Sequence, residues 1–162
     1  MKNRALSHAL TTKWAVRRAL PDVAMDALEN ATRTAERGTS GQLRLIVEAN
    51  WPLLHVNRAT PRSRALAWFS QLQVWDTEHN NGVLIYLLFA ERRVEIIADR
   101  GLNHCVSQAQ WDAICRSMEA SFSGGRFEHG LAAGISAIGD LLRQHFPAAV
   151  GDNEQPDRPM IV

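Results

Sequence analysis

The chain has 162 residues, of which 46% are hydrophobic, so it is long enough for one ordinary globular domain with a sizeable core. Its 18 basic and 17 acidic residues give a net charge of +1, which excludes a bulk electrostatic attraction to nucleic acid. No apolar run approaches the ~20 residues that a membrane span needs, and the first residues lack a signal-peptide pattern.

Residues 1–38 are predicted to form an N-terminal helical segment that packs on the rest of the domain. Within it, Leu6 to Arg18 is a basic, Trp-containing stretch that fits a short amphipathic helix. Pro21 suits a first helical turn, and apolar residues then recur at helical spacing until Gly38 ends the run. A second, longer helix is therefore expected after the first.

Residues 39–147 are predicted to form an α/β domain. Leu43, Leu45 and Val47 alternate with polar residues, the pattern of a strand with one apolar face. Thr60-Pro61 then marks a helix start, and seven consecutive apolar residues from Val83 to Phe89 suit a strand covered on both faces. A strand, a helix and a strand in sequence favour a right-handed connection between parallel strands.

The second strand also begins a predicted hairpin, because residues 94–99 resume a β-rich pattern after a polar break. If Ala90 pairs with Arg93, the register places Leu84 opposite Asp99 and Gly82 opposite Gly101. Four side chains then meet at one end of the hairpin, and we call them the strand-end patch: Asn80, Asn81, Asp99 and Arg100. The parallel crossover places Glu48 at the opposite end of the sheet. These elements predict a small mixed sheet with a central antiparallel hairpin.

Two helices and a tail complete the predicted domain. Ser107 and Gln110 have the spacing of a capping box, and the helix that they start is expected to stop at Ser123-Gly124-Gly125. A last helix follows from Phe127 to Pro147. Residues 148–162 are polar and contain proline, so an extended or disordered tail is expected.

A family resemblance rests on Asn81-Gly82-Val83-Leu84-Ile85 and Asp99-Arg100-Gly101, followed by Trp111, Phe122, Gly125, Phe127 and Gly130. Between about Gly41 and Phe146 the chain resembles the TPM domain, a family associated with thylakoid lumen proteins and acid phosphatase activity. It is most similar to short bacterial members without a signal peptide, whose tail resembles residues 153–159, and which are similar to proteins found alongside LemA-type membrane proteins. The resemblance implies a three-layer α/β/α sandwich. Exported members typically have Asp-Asn-Gly before the central strand, whereas Asn80 stands at the aspartate position here.

The strand-end patch and its neighbours offer oxygen ligands of the kind that calcium or magnesium prefers. The metal candidates are Asp76, Glu78 and Asp99. Zinc is an alternative if His79, His104 and Cys105 contribute, although no recognised ligand spacing is present. The opposing interpretation is a solvated strand end. Elsewhere, Arg44 and Glu48 share one strand face and are candidates for a pair, and Trp51, Trp68 and Trp75 are possible contact residues.

Two functions remain open, so whether the protein is an enzyme is uncertain from its sequence. The first is a non-catalytic or weakly catalytic TPM-domain accessory or binding protein, linked to a LemA-type membrane protein and holding a divalent cation. The amide at Asn80 favours this function over phosphatase chemistry, because it lacks the carboxylate that could act as a nucleophile or base and lowers the metal affinity that such catalysis needs. The second is a metal-assisted acid phosphatase acting on phosphomonoesters, with Arg100 steadying the phosphate.

The spacing of Cys105 and Cys115 predicts reduced thiols and a cytoplasmic protein. The sequence predicts no nucleic-acid partner and no direct membrane span, and it leaves the oligomeric state open.

Overall fold

A computed structural model describes residues 4–148 and 155–162. The helices before and between the strands are α1 (Arg4–Leu10), α2 (Lys13–Ala19), α3 (Asp22–Glu36), α4 (Leu53–Val56) and α5 (Pro61–Gln71). The later helices are α6 (Arg100–Asn103), α7 (Gln108–Ser123) and α8 (Phe127–His145). The strands are β1 (Gln42–Glu48), β2 (Gly82–Leu88), β3 (Arg93–Ala98) and β4 (Met160–Ile161). No helix in these two ranges is both long and apolar enough to cross a bilayer.

The four strands form one mixed sheet in the order β3-β2-β1-β4. β1 and β2 run parallel and β2 and β3 antiparallel, so the predicted crossover and hairpin are confirmed. Residues of β1 and β2 are buried on both faces of the sheet. One face packs against α3, α7 and α8 in the larger core, and the other packs against α4 and α5 in a smaller one. The predicted three-layer α/β/α sandwich is therefore confirmed.

Local signals set most helix ends. Thr60 accepts a hydrogen bond from the Ser63 amide and starts α5 with Pro61 in its first turn, and Ser107 starts α7 in the same way with Gln110. The predicted single helix between Leu6 and Arg18 is instead two short helices, because the Thr12 side chain accepts a hydrogen bond from the Ala15 amide and begins α2.

The predicted hairpin register is wrong by two residues. Leu88, rather than Ala90, pairs with Arg93, and Val83 pairs with Ala98. The reason is the turn, where Phe89–Glu91 form a 3-10 helix and Arg92 adopts a left-handed conformation with φ of 53°. Because side chains alternate along a strand, a shift of two residues keeps every side chain on its predicted face.

The last eight residues of the chain pack along β1. β4 pairs parallel with β1, and the Arg44 guanidinium donates a 2.7 Å hydrogen bond to the Pro156 carbonyl. The Gln155 amide donates to the Gln42 side chain at 3.1 Å, and Arg158 forms ion pairs with Asp26 and Glu29 of α3. These contacts hold residues 155–162, the end of the predicted extended or disordered tail, against the sheet. Residues 149–154 of that tail lie outside the described residues.

A carboxyl pair joins this segment to α3. Glu36 accepts a 2.7 Å hydrogen bond from the Leu43 amide and shares a side-chain hydrogen bond with Asp157, which also accepts from Arg33 at 3.1 Å. Burial raises the pKa of Glu36 to about 8, and the nearby Asp157 carboxylate adds to the shift. Glu36 is therefore protonated in the folded protein at neutral pH.

We expect this proton to make the protein less stable as pH rises. Unfolded Glu36 titrates near 4.5 and folded Glu36 near 8, so between these values the folded state holds a proton that the unfolded state has lost. The contribution of this proton to the free energy of unfolding is complete below pH 4.5 and declines as the pH rises toward 8. Glu36→Gln keeps an acceptor for Leu43 and a donor for Asp157 without titrating, so the variant should lose this pH dependence. Urea unfolding at several pH values checks it, with Glu128→Gln on the exposed start of α8 as the control. An unchanged slope in Glu36→Gln would contradict the assignment.

Candidate functional site

The strand-end patch lies where the loop after α5 enters β2. Asn80 has a left-handed conformation with φ of 52°, and its side-chain oxygen accepts hydrogen bonds from Arg100 at 2.8 and 3.0 Å. The Asn80 carbonyl also accepts from the Gly101 amide at 2.9 Å. On the strand itself, the Asp99 amide donates to the Gly82 carbonyl at 2.9 Å. The structure thus brings the sequence-predicted set to one end of the hairpin, even though the register differs.

Two buried oxygens in this patch have no hydrogen-bond partner within the described part of the chain. Asn81 is completely buried, and its amide nitrogen donates to the Ser40 hydroxyl at 3.0 Å while Oδ1 has no donor. Asp99 is 9% exposed, and its Oδ1 accepts from the Arg100 amide at 2.7 Å while Oδ2 has no donor. A buried acceptor without a donor is costly, by roughly 1–3 kcal/mol and more for a charged group. Such atoms mark a place where a ligand would be stabilised.

These two oxygens lie on different faces of the sheet. Because side chains alternate along a strand, Asn81 shares the side of Val83, which packs in the larger core. Asp99 shares the side of Ile97, which packs in the smaller core with α5. The patch therefore offers two separate acceptors and not one cluster of ligands.

The predicted metal candidates are not grouped. Asp76 and Glu78 are exposed on the loop after α5, whereas Asp99 is buried at the strand end. In residues 4–148 and 155–162, no three His, Cys, Asp or Glu side chains lie close enough together to hold a metal ion. The zinc alternative meets the same obstacle, since His79 and His104 are exposed and the Cys105 thiol donates to the backbone at Leu102. Asp99 remains as a single buried carboxylate.

A second polar cluster lies at the other end of the sheet, and the sequence had singled out Glu48, Trp51 and Trp68 without predicting that they meet there. Glu48 ends β1 with 4% exposure, and its carboxylate accepts hydrogen bonds from Tyr86 at 2.5 Å and from Arg64 at 2.6 Å. The indole nitrogens of Trp51 and Trp68 donate to it at 3.1 and 3.4 Å. Burial opposes ionisation of Glu48, but hydrogen bonds from Arg64 and Tyr86 outweigh it and lower the carboxyl pKa.

This Glu48 cluster is a structural feature, because the carboxylate already has five donor atoms, from Arg64 and Trp68 on α5, Tyr86 on β2 and Trp51 in the loop after β1. Burial, followed by the hydrogen bond to Glu48, raises the pKa of Tyr86. Tyr86 is therefore a poor proton donor to a substrate. The carboxyl ends of parallel strands are a common place for active sites in α/β folds, but here that position is filled by the protein's own side chains.

The predicted pairing of Arg44 with Glu48 is wrong. Four residues along a strand span about 13 Å, which is too far for a direct ion pair. Arg64 on the crossover helix reaches Glu48 instead, and Arg44 binds the Pro156 carbonyl. Trp51 and Trp68, considered as contact residues, contribute to this cluster, with Trp51 only 3% exposed. The α5 crossover over β1 and β2 was the signal that could have suggested Arg64.

Comparison with models of known protein families identifies the family of this chain. The family model of the TPM domain matches residues 17–141. The chain belongs to the TPM domain family. The match begins within α2 and therefore includes α3, which lies in the N-terminal helical segment predicted to pack on the domain. Leu28 and Ala35 of α3 are buried in the same core as the sheet, which gives the physical basis for including that helix in the TPM domain.

Solved structures agree with this assignment. The TPM domain described here is similar to the BA42 protein from the psychrophilic bacterium Bizionia argentinensis, with 30% sequence identity and a TM-score of 0.78. That match covers 88% of this chain and 95% of BA42. The N-terminal domain of a protein from P. gingivalis shares the fold with a TM-score of 0.64 at 19% identity, covering 80% of this chain and 82% of that one. No curated protein sequence matches the chain.

Proposed function

We propose that this TPM domain is a binding or accessory protein with little or no catalytic activity, and that it takes up a divalent cation, calcium or magnesium, at Asp99. One observation carries the proposal: Asp99 Oδ2 is a buried carboxylate oxygen without a donor among the described residues. A cation or a hydrogen-bond donor from a ligand would satisfy this atom, and oxygen ligands of this type suit calcium and magnesium. The other ligands of such an ion would come from water or from a bound partner.

Other features of the patch support binding over catalysis. Asn80 supplies an amide where exported members typically have an aspartate. The oxygen of this amide accepts two hydrogen bonds from the Arg100 guanidinium, which is therefore already engaged within the protein. Asp99 Oδ1 accepts the Arg100 amide at the start of α6, so one of its two oxygens has a structural role. Away from the patch, burial raises the pKa of the Cys115 thiol to about 12, which makes it a weak nucleophile.

We further propose that the protein works in the cytoplasm beside a membrane-associated protein of LemA type. The compartment is supported by Cys105 and Cys115, which are free thiols. The partner is supported by the resemblance to short bacterial TPM members alone.

The alternative function is a metal-assisted acid phosphatase acting on phosphomonoesters. In that mechanism Asp99, with Asp76 or Glu78, would hold the ion, and Arg100 would steady the phosphate. The separation of the exposed loop carboxylates from buried Asp99 weighs against it.

Calorimetric titration with calcium, magnesium and zinc chlorides tests the proposal. We expect uptake of calcium or magnesium by the wild-type protein, weakened about tenfold or more in Asp99→Asn, because the substitution removes the charged ligand. Without ions, Asp99→Asn should melt at the same temperature or higher, since it removes an unpaired buried charge while an asparagine still serves as an N-cap. Asp112→Asn on the exposed side of α7 is the matched control.

Two results would count against this function. An absence of heat and of any change in melting temperature with all three ions would refute cation binding at Asp99. Hydrolysis of p-nitrophenyl phosphate that requires a divalent ion, and that is abolished by Asp99→Ala but not by Asp112→Ala, would establish the phosphatase instead.

A further inference from the structure

Exposed apolar side chains are concentrated on one part of this TPM domain. Among the described residues, eight large hydrophobic side chains are exposed, and six of them lie on residues 6–23 and 53–54. They are Leu6, Leu10, Trp14, Val23, Leu53 and Leu54. Leu10 is 72% exposed and Trp14 68% exposed. Single exposed apolar side chains are common, but several grouped together mark an interaction site.

The helix that carries Leu6 and Leu10 is firmly attached. His8, on the opposite side of α1, is buried, and its ring nitrogens bind the Glu91 carboxylate and the Trp51 amide, each at 2.8 Å. Arg4 adds a 2.8 Å ion pair with Glu91. Because His8 holds the inner side of α1, Leu6 and Leu10 are presented outward by a fixed helix. α1 also contacts α4, which carries the exposed Leu53 and Leu54.

The same part of the chain is basic. No acidic residue occurs between Arg4 and Pro21, although the protein as a whole has a net charge of only +1. Lys13, Arg17 and Arg18 are exposed, and none of them pairs with a carboxylate in residues 4–148 and 155–162. The Arg18 guanidinium lies 5.5 Å from the Trp14 ring centroid. Positive charge beside exposed leucine and tryptophan is thus a local property of α1 and α2.

We propose that α1 and α2, together with Leu53 and Leu54, form a docking face for an anionic phospholipid bilayer. Leucine and tryptophan side chains insert at the boundary between headgroups and acyl chains, while lysine and arginine bind anionic headgroups. Binding to an apolar groove of another protein would explain the exposed leucines but not the exposed basic residues. The uncompensated basic residues fit a surface of negative charge, because anionic headgroups attract lysine and arginine side chains. The docking face is remote from the strand-end patch, so this inference does not depend on the proposed function.

Sedimentation with protein-free vesicles tests the docking face. We expect the full chain to bind vesicles of phosphatidylcholine with about 30% phosphatidylglycerol tenfold or more tightly than vesicles of pure phosphatidylcholine. Binding should weaken when the salt concentration is raised, because headgroup contacts are screened. The double variant Leu10→Ser/Trp14→Ala should bind about tenfold less, as should Lys13→Gln/Arg17→Gln.

The protein provides a matched control in Leu66 and Trp75, which are also an exposed leucine and an exposed tryptophan but lie outside the docking face. Leu66→Ser/Trp75→Ala should bind the anionic vesicles as the wild type does. The proposal is overturned if the wild type ignores anionic vesicles, binds pure phosphatidylcholine equally well, or loses binding to the same degree in this control. Thermal melting of each variant shows whether it is folded.

Discussion

Gly82→Ala is expected to destabilise the protein by about 3 kcal/mol or more, the range of severe overpacking. A Cβ atom on Gly82 would lie closer than 3.0 Å to the carbonyl oxygen of Val74, a separation that real Cβ atoms essentially never show. That oxygen belongs to the backbone, so no side-chain rotation relieves the clash. The loop would have to lift away from the start of β2, where Asn81 and Asp99 are buried. Chemical denaturation followed by circular dichroism measures the loss.

Gly124→Ala is the control for this substitution. A Cβ atom at Gly124 would meet nothing nearer than 3.6 Å, and its φ of −86° suits any residue. We expect a change below about 1 kcal/mol there. Gly101→Ala should behave like Gly82→Ala, because its Cβ would lie 2.5 Å from the Asn80 carbonyl oxygen. Similar stabilities for Gly82→Ala and Gly124→Ala would show that the loop is not held against β2.

Replacing Glu48 by alanine should remove about 3 kcal/mol of stability, because it leaves a buried donor unsatisfied and removes several hydrogen bonds to a charged group. The carboxylate accepts from Arg64, Tyr86 and two indole nitrogens. The substitution leaves the buried Tyr86 hydroxyl without an acceptor at the end of β1, whereas Trp51 keeps its hydrogen bond to the Tyr86 oxygen. Glu48→Gln keeps one acceptor oxygen and should cost less. Since the lowered pKa keeps Glu48 charged in the folded protein, the difference between wild type and Glu48→Gln should shrink as pH falls through that pKa.

Asp140→Ala provides the comparison, because it also removes a carboxylate that pairs with an arginine. Asp140 is on the surface and pairs with Arg143 three residues along α8, so its loss should cost at most about 0.5 kcal/mol. Urea unfolding of Glu48→Ala, Glu48→Gln and Asp140→Ala at pH 7 ranks the three variants by their free energy of unfolding. If Glu48→Ala costs no more than Asp140→Ala, the cluster does not contribute to stability.

The layers of this fold could be predicted because local signals and hydrophobic pattern agreed. Seven apolar residues after Gly82, a capped helix at Thr60 and a second capped helix at Ser107 are each visible without tertiary information. The predicted register was wrong by two residues because the register depends on the turn. Arg92 has a left-handed conformation there, which an arginine in the sequence does not predict. Composition alone also gave no sign that Met160 and Ile161 would form an edge strand.

The candidate site was predictable as a set of neighbours but not as a set of ligands. Pairing of β2 with β3 brings Asn81 and Asp99 to one end of the sheet whatever the turn. A register shift by an even number of residues also leaves each side chain on its predicted face. Whether Asp76 and Glu78 join them depends on the path of a loop, which no periodicity describes. The Glu48 cluster was missed because its arginine comes from a helix 16 residues later, and only packing of α5 on the sheet selects Arg64 over Arg44.

The length of β2 separates the two surfaces described above. α1 binds Glu91 in the turn after β2, and Asn81 precedes its first residue, so the intervening seven-residue strand holds them about 20 Å apart. Electrostatic screening in physiological salt has a Debye length of about 8 Å. A charge bound at Asp99 would therefore be almost unaffected by lipid headgroups at the far end. With the two proposals taken together, β2 would keep the cation-binding end of a docked protein in water, and the cation affinity there would depend on the protein's own side chains.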